Sequence, residues 1–157
     1  MAKILLLLST TRESSKGIAA AIKAASAEGC ELLVVYVLDD ELPGHILQKL
    51  TDEGWIGGKP SDELYAAILR EYTTQARLKL DEVHSQANNA DLPINTQIHR
   101  GNFVEKAMDL IKAEGITEVF VNRRKRSNLS RFLFGSAVAE LKKRAPCPVT
   151  IVDEDGV

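Results

Sequence analysis

The chain has 157 residues, 45% of them hydrophobic and 27% charged, with a net charge of −2. That length suits one globular domain with an aliphatic core, since aromatics make up 5%, and it is long enough to bury that core without a disulfide framework. The N-terminal M-A-K-I-L-L-L-L-S has an apolar run of five residues, too short for a signal-peptide core or a membrane span, so a cytoplasmic location without membrane attachment is expected.

Residues 4–8, I-L-L-L-L, are continuously apolar, the pattern of a strand buried on both faces. Thr10-Thr11-Arg12-Glu13 has the spacing of a capping box and leads into a helix that places Ile18, Ile22 and Ala25 on one stripe before Gly29 stops it. Residues 32–38, L-L-V-V-Y-V-L, form a second buried strand. The stretch 39–60 is less regular: Asp39-Asp40-Glu41, Pro43-Gly44, a short helix around 45–53, then G-W-I-G-G-K-P. It reads as an insertion within a single domain spanning 1–157. Ser61 is positioned to cap a long helix over 62–87 with Leu64, Ile68, Tyr72, Ala76, Leu80 and Val83 on its stripe.

Residues 93–99, P-I-N-T-Q-I-H, make a third strand whose polarity places it near a sheet edge. Asn102, three residues before Glu105, starts a helix with Val104, Met108 and Ile111 inward and Gly115 as its stop. A fourth strand covers 117–121, a last helix 136–144, and a fifth strand 149–152, after Pro146 and Pro148. Strands and helices therefore alternate throughout. The fold class is α/β: one five-stranded, mostly parallel, doubly wound Rossmann-like sheet with helices on both faces, expected in the order 3-2-1-4-5.

In such a sheet ligands lie beyond the carboxyl ends of the strands, where the order reverses. The relevant loops are Ser9-Thr10-Thr11, Leu38-Asp39-Asp40 and the junction V-N-R-R-K-R at 121–126. Residues 122–144 contain eight basic residues against one acid, a local charge of +7, so the remainder carries −9. That asymmetry marks either an anion site or a solvated face. A dinucleotide fingerprint is absent after the first strand, where S-T-T-R-E-S stands instead. G-W-I-G-G-K-P is one residue short of a phosphate-binding loop and has Pro60 where a hydroxyl is required. A response-regulator site would need acids after the first and third strands, and neither loop has them.

Catalytic constellations are thin. His45, His84 and His99 fall in different elements, Cys30 and Cys147 stand at strand starts as packing residues, and the Asp39-Asp40-Glu41 turn is better suited to solvent than to a metal. Trp55 packs a loop in the simplest reading. No catalytic residue and no metal site is assigned, and ATP hydrolysis lacks a general base. Nucleic-acid contact through 123–131 is disfavoured by the absence of interleaved aromatics and a pI near 5.9.

At the basic junction the sequence meets a known pattern. Strand four, its loop with N-L-S-R-F-L-F-G-S, the Gly-Ser-Ala-Val helix start and the A-P-C-P-V-T-I-V ending resemble the universal stress protein family, as do I-L-L-L-L-S-T-T-R-E-S-S and E-L-L-V-V-Y-V-L-D near the start. The resemblance implies a non-catalytic stress-response protein, dimeric through antiparallel pairing of the last strand, here Val149, Thr150, Ile151 and Val152; a further protein partner is compatible with it. One branch of the family binds ATP through G-x-x-G, nine residues, then G-[ST]. Here Gly135-Ser136 is kept, while the two earlier glycines fall on Asn122 and Lys125.

The resemblance assigns the ligand positions to Ser9 (where the family usually has an acid), Thr10, Val37, Asn122, Arg123, Arg124, Lys125, Arg126, Gly135, Ser136 and Ala137. Glycine lets a backbone approach a phosphate closely, and Asn122 and Lys125 remove that freedom. Altered or lost nucleotide binding is the leading expectation. The alternative is ATP or another adenine nucleotide held by the basic side chains of 123–126.

Overall fold

The computed structural model describes residues 2–9, 15–39, 47–48, 51–54, 62–123 and 136–153. Its elements are β1 (Lys3–Ser9), α1 (Ser15–Glu28), β2 (Glu31–Leu38), α2 (Asp62–Asn89), β3 (Ile94–Arg100), α3 (Phe103–Glu114), β4 (Glu118–Arg123), α4 (Ser136–Arg144) and β5 (Val149–Asp153). The five strands form one sheet in the order β3-β2-β1-β4-β5, every neighbouring pair parallel. The order and class are those read from the sequence. Of the 39–60 stretch, residues 47–48 and 51–52 are helical. The capping box at 10–13, Ser61 and the Trp55 loop lie outside the described residues.

β1 is central, paired with β2 from Lys3↔Glu31 to Ser9↔Val37 and with β4 from Ile4↔Glu118 to Leu7↔Val121. Its unbroken apolar run follows from that place, because helices cover both faces of a parallel sheet and neither side of the strand meets water. Alternation sorts the core into two layers. Ile4, Leu6, Leu8, Leu32, Val34, Tyr36 and Phe120 pack with Ile18, Ala21 and Ala25 of α1 and Ala76, Leu80 and Val83 of α2. Leu5, Leu7, Val35, Val37, Val119 and Val121 pack with Phe103, Ala107 and Ile111 of α3 and Val138 and Leu141 of α4.

The helix signals act locally as the sequence implied. Asn102 caps α3, its Oδ1 accepting from the Glu105 N–H at 3.1 Å, and Gly115 ends the helix in left-handed geometry at φ 63°. The polar β3 lies at the sheet edge.

The long helix departs from its stripe. Ala76, Leu80, Val83 and Ala87 are buried, but Leu64 is 36% exposed and Ile68 and Tyr72 are half-buried. Length explains the difference. Its 28 residues span about 42 Å at 1.5 Å per residue, whereas the eight residues of β2 span about 26 Å at 3.3 Å each. The first turns of α2 therefore overhang the carboxyl edge of the sheet and have no strand among the described residues to pack against. A core truncation and an overhang truncation should differ accordingly. Leu80→Ala is expected to lower unfolding free energy by about 2–4 kcal/mol, and Leu64→Ala by less than about 1 kcal/mol. Urea denaturation with unchanged slope checks both values.

Candidate functional site at the strand switch point

Neighbouring strands β1 and β4 connect onward in opposite directions, to β2 on one side and β5 on the other. Between their carboxyl ends is the position where the doubly wound architecture leaves a crevice. The core here is otherwise apolar. The buried polar side chains among the described residues are Ser9, 4% exposed, and Asn122, fully buried. One ends β1 and the other lies one residue from the end of β4. Desolvation of polar groups costs free energy, so their joint placement at the switch point marks this as the functional end.

Ser9 stands opposite Val37 in the β1–β2 register. By strand alternation it shares the face of Leu7 and Val37, toward α3 and α4. Its Oγ has no hydrogen-bond partner among the described residues, a condition that costs about 1–3 kcal/mol for a buried hydroxyl and that a bound polar group would relieve. Asn122 alternates to the opposite face, toward α1. There the first turn of α1 carries Gly17, and a Cβ at that position would fall on Asn122 Oδ1 and within 2.8 Å of its Nδ2. Gly17 is the residue that sequence reasoning missed. The available signal was a glycine three residues into an alanine-rich helix, where it costs about 0.5–1 kcal/mol relative to alanine.

β4 does not end at Asn122. The strand continues, with Asn122↔Val152 and Arg123↔Asp153 paired to β5. Ser136 is the first residue of α4, Ala137 is half-buried against the α3–α4 core layer, and Val138 is buried. A nine-residue helix beginning there directs its N-terminal amides and the positive end of its dipole toward the carboxyl side of the sheet. Thr10, Arg124, Lys125, Arg126 and Gly135 lie outside the described residues.

The basic cluster divides. Lys142, Lys143 and Arg144 fall in the last turn of α4, where cations complement the negative helix end. Arg144 reaches Glu105 of α3 at 2.9 Å. Three of the eight basic residues of 122–144 thus stand a helix length from the switch point and serve the helix terminus.

The remaining polar candidates are scattered. His84 Nε2 lies 3.1 Å from Thr96 Oγ1, and His99 Nε2 lies 2.7 Å from Gln97 Oε1. No group of three metal-ligating side chains occurs among the described residues, and Asp40, Glu41 and His45 lie outside them. Cys30 and Cys147 are free and half-buried at the amino side of the sheet, less enclosed than buried packing residues would be. Burial raises the pKa of both thiols, reinforced at Cys30 by the Glu28 charge and at Cys147 by that of Glu118.

These features define a doubly wound α/β protein with its polar chemistry collected between the first and fourth strands. The model of the universal stress protein family matches residues 1–153, and the chain belongs to that family. Among solved structures, the chain is similar to the universal stress protein UspA from Lactobacillus plantarum, at 16% identity over 96% of this chain and 97% of that one, with a TM-score of 0.72. A protein of the universal stress protein family from Burkholderia pseudomallei follows at 16% identity over 96% and 95%, TM-score 0.68. The universal stress protein from Archaeoglobus fulgidus in complex with dAMP aligns at 15% identity over 97% and 98%, TM-score 0.61. Comparison with curated proteins gives no match.

The raised thiol pKa values have a testable consequence. A neutral acid whose folded pKa lies above its unfolded value holds its proton longer in the native state, so its contribution to stability falls as pH rises through the unfolded thiol pKa. Native protein at pH 8 should therefore be alkylated by iodoacetamide more slowly than the urea-unfolded chain at the same pH. Mass spectrometry of timed samples reads this, and equal rates at both cysteines would contradict it.

Proposed function

We propose that this protein is a non-catalytic, cytoplasmic regulatory member of the universal stress protein family that acts as a dimer, its switch-point site altered so that nucleotide binding is weakened or lost. The observation that carries this reading is the course of β4. Asn122 and Arg123 remain extended and paired to β5, and Asn122 is packed against α1. Backbone held in a ladder does not fold its amides around a phosphate, which is the work of a glycine turn at this place. Ser9 in place of an acid removes a further ligand contact that the family resemblance implies.

The dimer reading is supported by β5. It lies at the sheet edge, pairs with β4 alone among the described strands, and is built from the largely apolar V-T-I-V-D. Its outer edge suits antiparallel pairing with a second copy.

A second reading has its own support. The relative from Archaeoglobus fulgidus is described in complex with dAMP, and Ser9 Oγ is a buried hydroxyl without a partner among the described residues. An adenine nucleotide held through the side chains of 123–126 would use both the charge and that hydroxyl.

Isothermal titration with ATP, ADP, AMP and cyclic AMP at millimolar concentration separates the two. The first reading expects either no heat or binding no tighter than millimolar, and micromolar binding favours the second. For the dimer, light scattering at micromolar concentration should give twice the 17.2 kDa chain mass, and Ile151→Asp should reduce it to the monomer mass. An unchanged mass for the folded variant rejects β5 as the interface.

A further inference from the structure

We infer that Asn122 is the specificity-determining residue of the switch-point site, acting as a plug whose complement is Gly17. This deepens the proposed reading and rests on it. Three observations carry it. Asn122 is fully buried although it is polar and close to the end of its strand. The amide occupies the volume in which a side chain at Gly17 would begin, with Cγ at 2.5 Å and Nδ2 at 2.8 Å from that Cβ position. Gly17 itself sits in S-K-G-I-A-A-A-I-K-A-A, a helix that uses alanine freely elsewhere.

The glycine on α1 is not there for a turn. It lies inside a helix and is not among the described glycines with positive φ, so its cost in helix propensity has no conformational return. The return is space, and Asn122 takes all of it. Helix and strand thus form one complementary unit at the mouth of the crevice: where β4 carries a side chain, α1 gives one up. The volume beneath the first turn of α1 is filled by the chain itself.

An interior at close-packed density does not admit a ligand where a side chain is already seated. The determinant is therefore steric and lies on the strand. The positive charge after it, Lys125 included, does not decide whether a nucleotide enters. Removing the amide opens a polar recess against the Gly17 backbone, on the α1 face of the sheet and opposite the face that Ser9 shares with Leu7 and Val37. A nucleoside phosphate is the ligand class suited to such a recess at a helix N-terminus, since α1 begins at Ser15 immediately above it.

The test uses ATP as probe and five variants of the full chain. Asn122→Gly, alone or with Lys125→Gly, should gain at least about tenfold in ATP affinity by calorimetry, whereas Lys125→Gly alone should leave it unchanged. Gly17→Ala should lower the melting temperature by roughly 4–10 °C. In Gly17→Ala/Asn122→Gly, which moves the glycine from helix to strand, most of that loss should be recovered. Recovery by the swap shows that both residues claim one space, and it is read without any ligand.

Micromolar ATP binding by the wild-type chain overturns the reading on which the inference rests. A wild type that ignores ATP, with folded Asn122→Gly and Asn122→Gly/Lys125→Gly variants that ignore it too, overturns the inference alone. So does a gain produced in full by Lys125→Gly, or a swap that is less stable than Gly17→Ala by itself.

Discussion

The rest of the molecule depends on the burial of β1 on both faces. Ile4 to Leu8 are at most 1% exposed, flanked in the sheet by β2 and β4 and covered above and below by helices. Each large aliphatic side chain so enclosed contributes about 1.5–3 kcal/mol of hydrophobic stabilisation, and none of these positions tolerates an unpaired polar group. Polar chemistry is therefore pushed to the strand ends. At the amino side this yields Lys3, held by Glu114 at 3.0 Å with Glu31 at 3.7 Å, an arrangement that orients the chain near solvent. At the carboxyl side it yields Ser9 and, on the neighbouring strand, Asn122. The location of the candidate site is a consequence of what the central strand excludes.

The same constraint explains what the sequence made legible. Continuous apolar runs such as 4–8 and 32–38 can be satisfied only by a covered parallel sheet, so order and class followed from pattern. Asn102 and Gly115 are local signals whose partners lie within a turn, and they did what their chemistry dictates. Element ends were similarly close, with α4 at Ser136–Arg144. The reading of the long helix failed over its first turns for a reason its own residues do not contain. Leu64 and Ile68 have the same spacing as Tyr72, Ala76, Leu80 and Val83, which pack on the core, but burial also depends on the length of the strands they would meet.

The site was legible in its place and illegible in its packing. Asn122 stood out because it occupies a position where the family pattern has glycine. Gly17 did not, because its role is defined by a residue more than a hundred positions away. Charge misled in a comparable manner. A sum over 122–144 treats Arg123 and Arg144 alike, yet one pairs in β4 at the carboxyl edge while the other closes the far end of α4 on Glu105. That ion pair is exposed, with side-chain accessibilities of 41% and 60%, so solvent and salt screen it and it adds little to stability. Its effect is to spend basic residues on a helix terminus, leaving fewer for any anion at the switch point.

The two sheet edges are managed by different means, and the contrast bears on assembly. β3 presents I-N-T-Q-I-H-R, in which amide, hydroxyl, imidazole and guanidinium groups interrupt every apolar pair, and the His84–Thr96 contact ties its face to α2. Such an edge is poorly suited to a strand partner. β5 is five residues long and carries Val149, Ile151 and Val152 with little polarity between them. A short strand limits open-ended growth, because few backbone pairs are available to stabilise a mismatched neighbour. An antiparallel two-fold pairing uses all of them and leaves none exposed. One edge is thus blunted by side-chain chemistry. The other is blunted by length and, in the proposed dimer, by closure; the plugged switch point and the β5 edge are then joined through a single ladder, since Asn122 pairs with Val152.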